Sequence, residues 1–177
     1  MRTLHVLAVM KAAPFAEREH LNVVIETPSG SRTKYSWDPA LEAFRAKKVL
    51  PLGMTFPYDF GFVPGTKAGD GDPLDALVLA DAPLVTGCIV ECRALGAIEA
   101  RMTEKGGGKP VRNDRLIVVP VASLKGAEWH HLADLGEVLL REITEFLQSY
   151  VEREGRTFEL VGQVDRAKAI ELVKKAA

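Results

Sequence analysis

The spacing of apolar residues changes character once along the chain, after Lys125. From Leu135 to Tyr150 the positions Leu135, Val138, Leu139, Ile143, Phe146, Leu147 and Tyr150 recur at helical spacing and form one stripe. That stripe predicts an amphipathic helix, stopped by Gly155. A shorter helix is expected over Asp165 to Lys175, with Lys174 and Lys175 in its last turn, where cations complement the helix dipole. Ahead of Lys125 the pattern is that of short strands. Leu21 to Thr27 is apolar and β-branched, Pro28-Ser29-Gly30-Ser31 is a turn cluster, and Thr33 to Trp37 follows as a second strand, so the pair reads as a hairpin. Glycine and proline punctuate Pro51 to Pro73 around a strand at Tyr58 to Val63. Further strands fit Ala76 to Ala80, Cys88 to Arg101 and Leu116 to Val119, with a polar, glycine-rich loop from Glu104 to Asn113. Strands first and helices last predict an α+β domain in which helices cover a small twisted sheet or barrel.

Composition narrows the picture by exclusion. The 177 residues suit one domain spanning 1–177, and 47% hydrophobic with 27% charged residues is the balance of a globular chain. Lys plus Arg (23) nearly equals Asp plus Glu (24), so no field of one sign points to nucleic acid or a membrane surface. No apolar run approaches the ~20 residues that span a bilayer. Leu4 to Met10 imitates a secretory leader, but His5 interrupts it and Lys11 follows too soon, so the expected location is cytoplasmic. Cys88 and Cys92 lie on one face of a strand and lack zinc-site partners; they are expected as unbridged thiols of a reducing compartment.

Chemistry concentrates in Gly69-Asp70-Gly71-Asp72-Pro73-Leu74-Asp75, directly before an apolar strand. Three carboxylates within six residues repel one another unless a cation neutralises them, and hard divalent ions prefer oxygen ligands. Mg²⁺ is the natural candidate. A solvated acidic turn is the plain alternative, since aspartate and glycine are what turns use. A calcium loop is disfavoured, because its twelfth position from Asp70 is Asp81 instead of glutamate and a strand follows. His5, His20, His130 and His131 show no ligand spacing with the acidic cluster, and Trp37 and Trp129 read as packing groups.

The run Asp70 to Asp75 resembles the signature of the soluble (family I) inorganic pyrophosphatases. Val23 to Pro28, Lys34-Tyr35, Phe56 to Val63, Gly87 to Gly96 and Leu116 to Pro120 are similar to family blocks in the same order. The resemblance implies a small closed five-stranded, OB-like β-barrel with flanking helices, two of them C-terminal. It also implies hydrolysis of pyrophosphate by metal-activated water, using several Mg²⁺ ions, with Mn²⁺ or Zn²⁺ as substitutes. Asp70 and Asp75 would be metal ligands, with Glu26, Glu104 and Asp114 completing the set, and Asp72 would take the proton from the attacking water. Lys34, Lys48, Arg115 and Tyr150 would hold phosphate. A homo-oligomer, by resemblance a hexamer, with no nucleic-acid or membrane partner, is implied as well.

The chain departs from the family pattern at several places. Ser36 stands for a glutamate, Phe56 and Phe60 for tyrosines, and Val151 for the lysine after the helix tyrosine. Lys48 and Arg115 exchange arginine and lysine, which alters hydrogen-bond geometry. Counting back from Arg115 puts Asn113 on a metal position; Asp114 is preferred because asparagine neutralises nothing. A non-catalytic relative that binds metal and an anion is the alternative function. A phosphohydrolase of another diphosphate and a nucleic-acid-binding barrel also remain, the last disfavoured because it wants a basic groove with interleaved aromatics.

Overall fold

The structure, a computed structural model, describes residues 7–103 and 105–177. After a short helix α1 (Leu7–Met10), nine strands and two longer helices follow: β1 (Leu21–Thr27), β2 (Thr33–Asp38), β3 (Ala43–Val49), β4 (Asp59–Phe62), β5 (Asp75–Val78), β6 (Ile89–Thr103), β7 (Val111–Arg112), β8 (Arg115–Pro120), α2 (Gly136–Glu152), β9 (Thr157–Asp165) and α3 (Arg166–Ala176). Strands β1, β4, β5, β8 and β6 hydrogen-bond in that order, and β6 returns to β1, which closes a five-stranded ring. Only β5 and β8 run parallel; the other pairs in the ring are antiparallel. The expected barrel with flanking helices is therefore present.

Both faces of the ring are covered, which is why its strands read as continuous apolar runs. Along β5 and β8, Leu77 and Ile117 join a core with Leu140, Ile143 and Leu147 of α2. Their neighbours Ala76, Val78, Leu116 and Val118 turn the other way and pack with Ala169, Ile170 and Val173 of α3. The α2 stripe deviates from expectation at Val138, which is 60% exposed, while Val151 at the far end is buried. Helix α3 begins where Asp165 accepts the backbone N–H of Lys168, an N-cap that the sequence limits of the helix already enclosed. Both cysteines are free thiols, and burial raises the pKa of Cys92.

Four sequence expectations change, one of them being that the loop expected over Glu104 to Asn113 carries the short strand β7, which pairs with β6. Strand β2 pairs with β3, not with β1. Its link to β1 is made by side chains: Thr27 Oγ1 donates to the Tyr35 carbonyl and accepts the Tyr35 N–H, and Glu26 Oε1 accepts the Trp37 N–H at 2.8 Å. Strand β3 itself was not expected, being mostly exposed with no clean alternation. Nor was β9, which extends the sheet along the outer half of β6 from Gly96 to Thr103.

Candidate active site

The Asp70–Asp75 segment forms a tight turn whose geometry its residues dictate. Asp70 Oδ1 accepts the Asp72 N–H at 3.2 Å, Gly71 takes φ +92°, and the Gly71 and Ala68 amides donate to the carbonyls of Ala68 and Asp72. Gly69 passes so close to Arg112 that an added Cβ would sit 3.1 Å from its carbonyl oxygen. The turn delivers Asp75 to the first position of β5. There the parallel register sets it beside Arg115, the first residue of β8, and Asp75 Oδ2 accepts from Arg115 Nη1 at 2.8 Å.

Arg115 is buried, and its guanidinium also donates to the carbonyls of Asn113 and Asp114 and to Asn113 Oδ1. Asn113 in turn donates through Nδ2 to Asp70 Oδ2 at 2.7 Å. Asp70, Asn113, Arg115 and Asp75 are thus wired into one chain of polar contacts. They line a cleft of about 580 Å³ together with Glu26, Lys34, Asp72, Ser36, Lys47 and Arg156.

Glu26 is buried near the end of β1, beside a bulge that breaks the β1–β4 register. Burial first, and then the nearby charges of Asp75 and Asp72, push its carboxyl up to about 7, although the Trp37 N–H and Lys34 oppose the shift. Lys34 lies opposite. Burial alone would depress its ammonium, yet the Tyr150 hydroxyl, Asp75 and Glu26 outweigh burial and leave the pKa raised. Behind Lys34 stands an aromatic layer, its Nζ 5.5 Å from the Tyr150 ring centre and 5.6 Å from that of Phe60. Lys48, its cross-strand partner, sits 4.2 Å above the Tyr150 ring and pairs with Glu154.

The expected site residues are therefore only partly brought together. Glu26, Lys34, Asp70, Asp72, Asp75 and Arg115 share the cleft. Lys48 and Tyr150 form the layer behind it. Asp114 does not face it: Oδ1 accepts from the Ala100 N–H at 3.1 Å and from Arg112 Nε at 2.6 Å, so Asn113 and not Asp114 stands next to Asp70. Glu104 lies outside the described residues, as does His5. Asp81, the twelfth residue from Asp70, instead accepts from Ser123 Oγ and the Leu124 N–H on another loop. Two cations of the cleft, Lys47 and Arg156, carry no signal in the sequence pattern: Lys47 is the unpaired residue between the Lys34–Lys48 and Tyr35–Ala46 pairs, where strand alternation breaks, and Arg156 follows a turn.

Among the described residues no three Asp, Glu, His or Cys side chains converge on one point. The reason is visible in the contacts: Asp75 is engaged by Arg115 and Asp70 by Asn113. What the cleft offers is four carboxylates intermixed with lysine and arginine, a set suited to a polyanion bridged by cations.

The chain is similar to known proteins of one family. A family model described as inorganic pyrophosphatase matches residues 23–177. An inorganic pyrophosphatase of Nostoc sp. is 38% identical over 152 residues, covering 85% of this chain and 86% of its own. The crystal structure of inorganic pyrophosphatase from Thermus thermophilus superposes with a TM-score of 0.80 at 32% identity, over 93% of each chain. That of the Helicobacter pylori inorganic pyrophosphatase gives 0.81 at 29% identity, over 94% of this chain and 96% of the other.

Proposed function

Because the chain belongs to the inorganic pyrophosphatase family, we propose that it hydrolyses pyrophosphate to two phosphates in the cleft between β1, β2, β5 and β8. The observation that carries this is that Glu26, Asp70, Asp72 and Asp75 line one cleft together with Lys34 and Arg115.

The donor set fits a hard divalent cation. All four acids offer oxygen, and the crowding of Glu26 by Asp75 and Asp72 is a repulsion that a bound cation would relieve. Mg²⁺, with Mn²⁺ or Zn²⁺ as substitutes, held by Asp70, Asp75 and Glu26, would screen the phosphate charge and lower the pKa of a water molecule. Asp72 accepts the proton of the attacking water. It suits that part because, among the described residues, its carboxylate takes part in no hydrogen bond or ion pair, whereas those of Asp70 and Asp75 are engaged. Lys34 and Arg115 would hold phosphate oxygens, Arg115 offering the planar fork of donors that matches them. Tyr150 and Lys48 act from behind, their stacked ring and ammonium fixing Lys34 at the cleft wall. Asp114 is left out of the metal set. A cytoplasmic location and a homo-oligomer, a hexamer by family resemblance, complete the reading; among the described residues no helix is long and apolar enough to cross a membrane.

The test is phosphate release from pyrophosphate by purified protein, with Mg²⁺, with chelator, and with ATP as competitor. Release that requires Mg²⁺ and is little affected by ATP is expected. Activity that survives chelation removes the metal mechanism, and Mg²⁺ binding without hydrolysis selects the non-catalytic reading.

A further inference from the structure

The end of α2 cannot supply a cation to the cleft. Tyr150 and Val151 are both buried in the core, and the next residues, Glu152 and Arg153, are exposed. The chain then turns at Gly155, with φ +73°, and reverses into β9. This reversal brings Arg156, the last residue before β9, back to the cleft wall, where it lines the same space as Asp70, Asp72 and Lys34.

Arg156 does not arrive alone. Its Nη1 lies 3.7 Å from Glu154 Oε2, and the other oxygen of that carboxylate pairs with Lys48. Lys48 is itself crowded by like charge: burial first, then Lys34 and Arg156, bring its ammonium down to about 8. Three cations are therefore gathered within electrostatic reach of one another, with Glu154 as the acid between two of them. Such crowding is costly in an empty site and favourable once a polyanion occupies it. Arg156 is also about three-quarters buried, so its position is set by packing and not by a solvated side chain sampling many rotamers.

Resting on the pyrophosphatase reading above, we propose that Arg156 is a phosphate-binding residue of this cleft, supplied by the turn between α2 and β9 in place of a cation on α2 itself. Its guanidinium offers the planar, two-point donor set that matches phosphate oxygens. Glu154 holds it, with Lys48, at the wall until the anion arrives.

Equilibrium titration with methylenediphosphonate at saturating Mg²⁺ tests this, alongside steady-state pyrophosphate hydrolysis, on wild type, Arg156→Ala, Arg156→Gln, Arg156→Lys and Arg153→Ala. Arg156→Ala and Arg156→Gln should bind the diphosphonate roughly 10- to 100-fold more weakly, the range expected for one charge-assisted contact. Arg156→Lys should recover part of that loss, because it keeps the charge and loses the fork. Arg153→Ala, exposed on the same turn, should bind like wild type, and Mg²⁺ affinity should be unchanged throughout. Arg156→Gln retains the side-chain stem and so reports on contact even if the alanine variant folds poorly. Binding within twofold of wild type in Arg156→Gln overturns the proposal, as does an equal loss in Arg153→Ala, which would mark a diffuse field. In either case a hydrolytically active wild type leaves the pyrophosphatase reading standing; a wild type that neither binds diphosphonate nor hydrolyses pyrophosphate removes both.

Discussion

Glu26 offers the sharpest quantitative test, because its environment penalises its own charge. The ordinary carboxyl pKa of 4.5 is raised to about 7, chiefly by burial and then by Asp75 and Asp72. The folded protein therefore binds this proton more tightly than the unfolded chain does. Stability is undiminished below pH 4.5, declines as pH rises through the window from 4.5 to about 7, and stays reduced above it. At ~1.36 kcal/mol per pKa unit, the full penalty is up to about 3 kcal/mol in the metal-free protein. Glu26→Gln removes the charge while its amide oxygen can still accept the Trp37 N–H, so the β1–β2 link made by Glu26 survives. In chelator, the variant should match wild type near pH 4.5 and exceed it by roughly 1–3 kcal/mol at pH 8, the lower bound allowing for relaxation around the charge. Urea unfolding at the two pH values measures this, with the midpoint shift multiplied by m. Saturating Mg²⁺ at pH 8 should reverse the ranking, because the carboxylate then has a cation to bind and the amide is the weaker ligand. Equal stability of the two proteins at pH 8 in chelator would refute the argument that buried charge repulsion is stored at Glu26.

Four further outcomes follow from the same contacts. Asp72→Asn should lose ~10²–10⁴-fold in turnover with little change in Mg²⁺ affinity, whereas Asp70→Asn and Asp75→Asn should weaken Mg²⁺ binding first; equal metal losses in all three, read by titration calorimetry, would leave Asp72 with no separate part. Val151→Lys, which the family pattern suggests as a restoring change, should instead cost about 3 kcal/mol or more, because Val151 is 1% exposed and an ammonium there has no water; thermal unfolding reports it, and a kcat/KM above wild type would contradict the placement. Asn113→Asp should destabilise the metal-free protein by replacing the Nδ2 donor to Asp70 with a second negative charge, and should tighten Mg²⁺ binding; unfolding in chelator and metal titration check the two halves separately. Gly96→Ala should be strongly destabilising, since its Cβ would stand 2.3 Å from the Val164 carbonyl oxygen; near-wild-type unfolding would show that β9 is free to move off β6.

Much of this fold was legible because its strands are buried on both faces and its long helix on one. An apolar run such as Leu116-Ile117-Val118-Val119 leaves little choice of environment, and α2 declared itself by period. The elements that went unseen have the opposite character. Strand β3 carries Lys47 and Lys48 beside Phe44 and Arg45, and is partly to fully exposed throughout, so nothing in its pattern separates strand from loop. Strand β9 alternates weakly and gains its order from pairing with β6, a long-range partner no local window contains. The hairpin error has a related cause. Pro28 to Ser31 identifies a turn correctly, but a turn does not say whether the chain that leaves it pairs backward or onward. Here the backward link was taken by Thr27 and Glu26 side chains, leaving the β2 backbone for β3.

The placement of Asp114 turns on parity. Successive side chains of an extended segment point to opposite faces, so residues two apart share a surface and adjacent ones cannot. Arg115 is fixed facing the cleft by its pair with Asp75 across the β5–β8 register. Asn113 must then face the cleft with it, and Asp114 must face away, where the Ala100 N–H and Arg112 receive it. Register, not charge, decides which of the two faces the cleft. The same parity explains why the cleft remains coherent with an asparagine in it. Asn113 can accept from Arg115 and donate to Asp70 at once, which an ionised carboxylate cannot do, so in the metal-free state the amide joins the two ends of the acidic cluster instead of adding to its repulsion.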